Sequence, residues 1–132
     1  MNLNEVLNLS KTESSIKKID LYLSKSIMYS NEFMAALKYK AEIISFLGEP
    51  NKAIKMLADY MPYFDKMDNE SIIITLDGII NITLSLSLFE QADNFIELKK
   101  KYLPISKSSL YLKDRINFYL LKNDKENAKA IL

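Results

Sequence analysis

Asn81 and Asn117 stand 36 residues apart, and four residues before each lies a charged side chain, Asp77 and Lys113. One period earlier, 39 residues back, the same two places hold Lys38 and Glu42. Positions four apart lie one above the other on a helix, so each pair occupies one helical face. A side-chain amide offers donors and an acceptor together, which suits clamping the backbone of an extended peptide. Lysines at 38 and 113 suit a carboxylate or an acidic side chain. One further turn along lie Ser45, Phe46, Leu84, Ser85, Leu120 and Leu121, placed to form apolar pockets. This is chemistry for holding a ligand, and it has a plainer rival. Asparagine occurs 11 times in 132 residues, so Asn81 and Asn117 also fit ordinary surface or interhelical hydrogen bonding, and Asp77 fits pairing with a neighbouring lysine.

Bond-making chemistry finds little to work with. The chain has no cysteine and no histidine, which removes the thiol nucleophile, the imidazole base and the zinc sites built from either. No catalytic constellation, cofactor site or metal site is expected, and the chain does not read as an enzyme. Asp65, Asp68 and Glu70 in "DKMDNE" read as an acidic loop without the spacing of a calcium site. The eight tyrosines read as interhelical packing with a wet hydroxyl.

Charge is unevenly placed. Residues 1–98 carry 9 basic and 14 acidic side chains, and residues 99–132 carry 9 basic and 3 acidic. "KKK" at 99–101 reads as a solvated helix end, where lysines complement the dipole. Arg115 is the one arginine, so direct nucleic-acid binding is not expected. Met1 is followed by no basic and apolar leader. Residues 72–89 are apolar, but Asp77 at the centre of a spanning helix costs roughly 2.5–3.5 kcal/mol. No membrane partner is expected, and the absent cysteines fit a reducing, cytoplasmic setting.

The elements that hold these residues are ambiguous in one stretch. In "ITLDGIINITLSLSLFEQAD" (74–93), Ile82, Leu84, Leu86 and Leu88 alternate with polar residues as in a half-buried strand. The rest of the chain argues for helix. Two glycines and three prolines are too few turn signals for a sheet. Four segments also repeat: 11–23, 48–60, 88–100 and 122–132, with Ser15, Ala53, Ala92 and Ala128 at spacings of 38, 39 and 36. Longer apolar stretches lie between them. Over 31–47, Phe33, Leu37, Ala41 and Ile44 form a stripe flanked by Met34 and Phe46. Asn31 is placed as its N-cap and Gly48 as its C′ residue, with Pro50 in the first turn of the next helix. Asn69 is placed as the next cap, and 108–121 carries Leu112, Ile116, Tyr119 and Leu120 at helical spacing. The period puts 70–87 in the same role, as a helix buried on both sides.

These pairs resemble tetratricopeptide-like repeats. In "FMAALKYKAEIISFLGEPNKAIKML", Leu37 stands at the family's large first-helix position and Ala41 at its small crossing position. Gly48 stands at its turn, with Ala53 and Leu57 on the second helix. Phe89, Ala92, Ile96 and Pro104 match in the next pair, and Ala128 and Leu132 in the last. Ile80 and Ile116 replace the small crossing residue, and Gly78 sits two places from it. The resemblance is weak over 1–30. It implies an all-α fold, an α-solenoid of antiparallel helix pairs, about three to four of them, forming a single domain over 1–132. Its first helices would line a concave face carrying Lys38, Glu42, Asp77, Asn81, Lys113 and Asn117. Because "AKAIL" is not a polar cap, the chain is expected to be a fragment of a longer protein or to have its end covered by another chain.

The asparagine-bearing pairs also look like the regulatory repeats of Gram-positive peptide-sensing transcription regulators of the Rgg, MutR and PlcR kind. That likeness implies a peptide-binding part, with DNA binding left to a separate domain. The expected partner is a peptide or a partner protein. The rival expectation is self-assembly, such as a homodimer, with no groove ligand.

Overall fold

The stretch that alternates like a strand is helical on both sides of one tight turn. A computed structural model describes residues 1–131, and Leu132 lies outside the described residues. Among the described residues the chain is all-α, with no strand. The helices are α1 (Leu3–Leu7), α2 (Glu13–Ser24), α3 (Asn31–Phe46), α4 (Pro50–Ala58), α5 (Asn69–Ser85), α6 (Phe89–Lys100), α7 (Ser108–Leu121) and α8 (Lys125–Ile131). Short 3-10 segments, Met61–Lys66 and Ile105–Lys107, lead into α5 and α7. None of these helices is long and apolar enough to cross a membrane.

Two helix starts fall one residue earlier than the sequence predicts. Ser30, not Asn31, caps α3, its hydroxyl accepting from the Phe33 N–H at 3.2 Å. Asp68, not Asn69, caps α5, its carboxylate accepting from the Ser71 N–H at 2.8 Å. Both are good capping residues, and the shift frees Asn31 for another task. Its amide donates to Glu70 at 2.9 Å and its carbonyl accepts from the Ser71 hydroxyl, tying the start of α3 to the start of α5.

Three connections share one geometry. After α3, α5 and α7, the residues Gly48, Ser87 and Asn123 take positive φ values of 99°, 58° and 64°. In each turn the following N–H reaches back five residues: Glu49 to Ile44, Leu88 to Thr83 and Asp124 to Tyr119. The positive-φ residue itself bonds three back, to Ser45, Leu84 and Leu120. This is the Schellman termination. It satisfies the last carbonyls of one helix, and its outermost residue at once precedes the next.

The four small residues that mark the period, Ser15, Ala53, Ala92 and Ala128, are all buried. So is the α3 stripe Phe33, Leu37, Ala41 and Ile44, which packs with Ala53 and Leu57 of α4 and Ile79 and Ile82 of α5. Helix α5 is buried on both sides, by α3 and α4 on one and α6 on the other. Its buried hydroxyls cost little, because Thr75 and Thr83 donate to the carbonyls of Ser71 and Ile79, each at 2.9 Å. Gly78 explains how close the helices come. A Cβ there would lie 2.7 Å from Leu57 Cδ1 and 3.1 Å from Lys38 Cγ. The small residue of α5 therefore serves the contact with the preceding pair, two places from where the repeat register looks for it.

The last pair differs. Helix α5 packs along α3, whereas α7 packs chiefly on α6 and α8. Helix α7 buries Arg115 and Phe118, while the predicted stripe residues Leu112 and Leu120 are exposed. The apolar residues of α7 are spread around the helix rather than gathered on one face, so periodicity alone does not choose its inner face.

Candidate functional site

Glu42 of α3 and Asn81 of α5 meet in one depression of about 270 Å³, together with Lys11, Ser45, Phe46, Ile82 and Ser85. The close α3–α5 packing over Gly78 positions them, since both sit one helical turn beyond the Lys38–Gly78 contact. Ile82 is buried at the floor, Glu42 and Ser45 are half-buried, and Asn81 and Ser85 are exposed. The Ser85 hydroxyl donates to the Ile82 carbonyl at 2.7 Å, which leaves its oxygen as an acceptor. Phe46 is 67% exposed at the edge, with the Lys11 ammonium 5.4 Å from its ring centre. The result is an amide, a carboxylate, two hydroxyls and an ammonium around one apolar platform.

The other predicted residues lie elsewhere. Lys38 is half-buried, its stem packed over Gly78. Asp77 is not an open anion. Its carboxylate holds the Lys99 ammonium of α6 at 2.7 Å, and Asp114 of α7 holds the same ammonium at 2.7 Å. Lys113 and Asn117 are exposed on α7 and do not line the depression, because α7 does not continue the α3–α5 packing. Leu84 is buried in the core with Leu76, Ile80 and Phe118. Leu120 and Leu121 are exposed.

The ion pairs between α5, α6 and α7 are the feature that the sequence reading missed. Lys99, first of "KKK", is 5% exposed and not a solvated helix end. Burial works to lower the pKa of its ammonium. Hydrogen bonds and charge from Asp114 and Asp77 more than offset this and raise it above the ordinary 10.5. Beside it Arg115 is buried as well. Its guanidinium bonds Asp93, Glu97 at 3.0 Å and the Tyr111 hydroxyl at 3.1 Å. It also lies 5.5 Å from the Tyr111 and Phe118 ring centres. Burial opposes its charge too, and Tyr111 and Asp93 prevail to raise its pKa. The basic charge of 99–132 is thus partly spent on carboxylates of α5 and α6. A run of three lysines gave no hint of which one turns inward. The unpaired-looking Asp93 and Glu97, four apart on α6, were the only signal.

Two larger clefts carry a weaker case. One of about 620 Å³ is floored by Ile16, Ile44, Leu47 and Met56. Four of its charged side chains are paired within the chain, Lys40 with Asp20 at 2.7 Å and Lys52 with Glu49 at 3.6 Å. The other, about 410 Å³, lies by Leu21, Tyr22 and Ile27. It is mainly apolar, and no element one repeat away contributes to it. Among the described residues no group of three or more acidic side chains is placed to hold a metal ion. Comparison with protein-family models, curated proteins and solved structures finds no match.

Proposed function

We propose that this chain is a tetratricopeptide-like interaction scaffold, its helix pairs stacked as an open α-solenoid, that binds an extended segment of a peptide or partner protein across α3 and α5. The observation that carries this reading is the depression in which Glu42 and Asn81, 39 residues apart in sequence, converge. The three equivalent turns and four buried small residues support the repeat that brings them there. At about 270 Å³ the depression falls just below the roughly 300–1,000 Å³ of pockets for drug-sized ligands. It therefore suits a short stretch of chain better than a whole cofactor.

In this reading Asn81 both donates to and accepts from the ligand backbone. Ser45 and Ser85 add hydroxyl contacts. Glu42 takes a backbone N–H or a basic side chain, and Phe46 receives an apolar side chain. Such a module fits the sensing part of a bacterial regulator, acting in the cytoplasm, where the ligand would be a signalling peptide.

Selection of random displayed peptides on the immobilised protein tests it. Enriched peptides should lose at least about tenfold in affinity (about 1.4 kcal/mol) on Glu42→Ala/Asn81→Ala, with the melting temperature nearly unchanged. No enrichment, or equal affinity for the variant, would remove the assignment. A tight dimer that occludes this face would replace it with self-assembly.

A further inference from the structure

The seam that holds the last helix pair is built unlike the others. Helix α8 packs on α7, and α7 on α6. Helix α3 buries seven residues and α5 ten, whereas α7 buries two, Arg115 and Phe118. Its inner face is Tyr111, Asp114, Arg115 and Phe118, spaced i, i+3, i+4 and i+7 along one stripe. The first three reach α5 and α6 through polar groups. Asp114 holds Lys99, which Asp77 also holds, and Arg115 pairs with Asp93 and Glu97. The Tyr111 hydroxyl donates to Glu97 at 2.9 Å, and the Lys100 ammonium lies 4.4 Å from the Tyr111 ring centre. Phe118 is the apolar anchor, edge-to-face on Phe89 with ring centres 5.9 Å apart.

A seam of this composition parts differently from an apolar one. Lifting α7 away returns every charge of the network to water, so hydration regained offsets attraction lost. One buried phenyl ring adds little apolar area to hold the seam shut. The chain between α6 and α7 provides a pivot. Tyr102 is held, its ring edge-to-face with Phe64 at 6.0 Å. Beyond it every residue from Pro104 to Leu110 is exposed. The backbone bond of this loop, from the Lys107 N–H to the Pro104 carbonyl at 2.8 Å, stays within the segment. Few buried apolar contacts and an exposed connection mark a unit that opens more easily than the whole chain unfolds. We propose that α7 and α8 form a lid, latched on α6 chiefly by ion pairs, which opens as one unit about residues 104–107 while α1–α6 stay folded. Opening removes Phe118 from the apolar cluster it completes with Leu76, Ile80, Leu84 and Ile96, and bares that part of α5 and α6. The α3–α5 depression takes no part in this motion, so the lid does not depend on the peptide-binding reading.

Native-state hydrogen exchange of the full chain, read by mass spectrometry where closing outruns exchange, tests the lid. Corrected for intrinsic rates, amides of α7 and α8 should exchange together, at least about tenfold faster than those of α3 and α5. Ile44→Val loosens the α3 core and should speed α3 and α5 about fivefold. It should leave α7 and α8 at the wild-type rate, because the lid opens without unfolding that core. Asp93→Asn/Glu97→Gln strips Arg115 of both carboxylates and should speed α7 and α8 at least about tenfold. Equal speeding of all helices by Ile44→Val would mean that α7 leaves only in global unfolding, and would overturn the proposal. So would α8 exchanging alone with α7 as slow as α5, or an α7 rate indifferent to the carboxylate variant.

Discussion

Replacing Lys99 with Met removes one cation and leaves two carboxylates facing each other. Met keeps most of the apolar stem, so the packing around the Cβ–Cδ segment survives and the charge is what is tested. Breaking a fully buried ion pair from one side costs about 3–5 kcal/mol. Here the ammonium is buried, but the Asp77 and Asp114 side chains are 32% and 26% exposed. Each can regain part of its hydration, which moves the expectation to about 2–3 kcal/mol. For a chain of this size that is roughly 6–12 °C in melting temperature. Urea denaturation followed by far-ultraviolet circular dichroism should show the midpoint falling with the slope unchanged. Adding Asp77→Asn and Asp114→Asn to Lys99→Met should return at least half of the loss, since neutral partners need no cation.

The pH dependence has a definite sign. The folded pKa of Lys99 lies above its ordinary value. Its contribution is therefore complete below that ordinary value of 10.5 and disappears as pH rises through the folded value. The difference between wild type and Lys99→Met should stay level through neutral pH and shrink only in strong alkali. A loss below about 0.5 kcal/mol, the size of a solvated surface pair, or a triple variant less stable than Lys99→Met, would refute the reasoning.

Other substitutions probe the remaining devices. Gly48→Ala has open space for its methyl group, so its loss of about 1–2 kcal/mol reports backbone strain at φ 99° alone; chemical denaturation reads it. Ser87→Gly relieves the same kind of strain at φ 58° and should stabilise by about 0.5 kcal/mol by the same measurement. Gly78→Val places carbon against Leu57 and Lys38 and should cost about 2–3 kcal/mol. Arg115→Lys keeps the charge but loses the fork that reaches Asp93, Glu97 and Tyr111 together, and should destabilise by about 1–2 kcal/mol, read as a lower urea midpoint.

The helices were legible because their signals were redundant. Apolar spacing, scarce glycine and the repeated small residue at 15, 53, 92 and 128 all pointed to helix, and the alternation over 82–88 was outvoted. The turn at Gly48 was legible because glycine announces positive φ. The same turn at Ser87 and Asn123 was not, since other residues also occupy that conformation when both hydrogen bonds of the termination compensate. For the candidate site, the spacing that singled out Glu42 and Asn81 survived because α5 packs along α3. It failed for Lys113 and Asn117 because the seam between α5 and α7 is built differently, through Lys99 and Phe118. Asp77 lost its place to an ion pair, and a lysine's partner lies too far away in sequence for spacing to reveal it.

Chemical-shift mapping of backbone amides, with a peptide enriched by selection titrated into isotope-labelled protein, bears most directly on the groove. Saturable shifts should cluster at 42–46 on α3 and 81–85 on α5, with Lys11 beside them and α8 silent. Saturable shifts confined to α7 and α8, or scattered with no change around Glu42 and Asn81, would contradict the assignment.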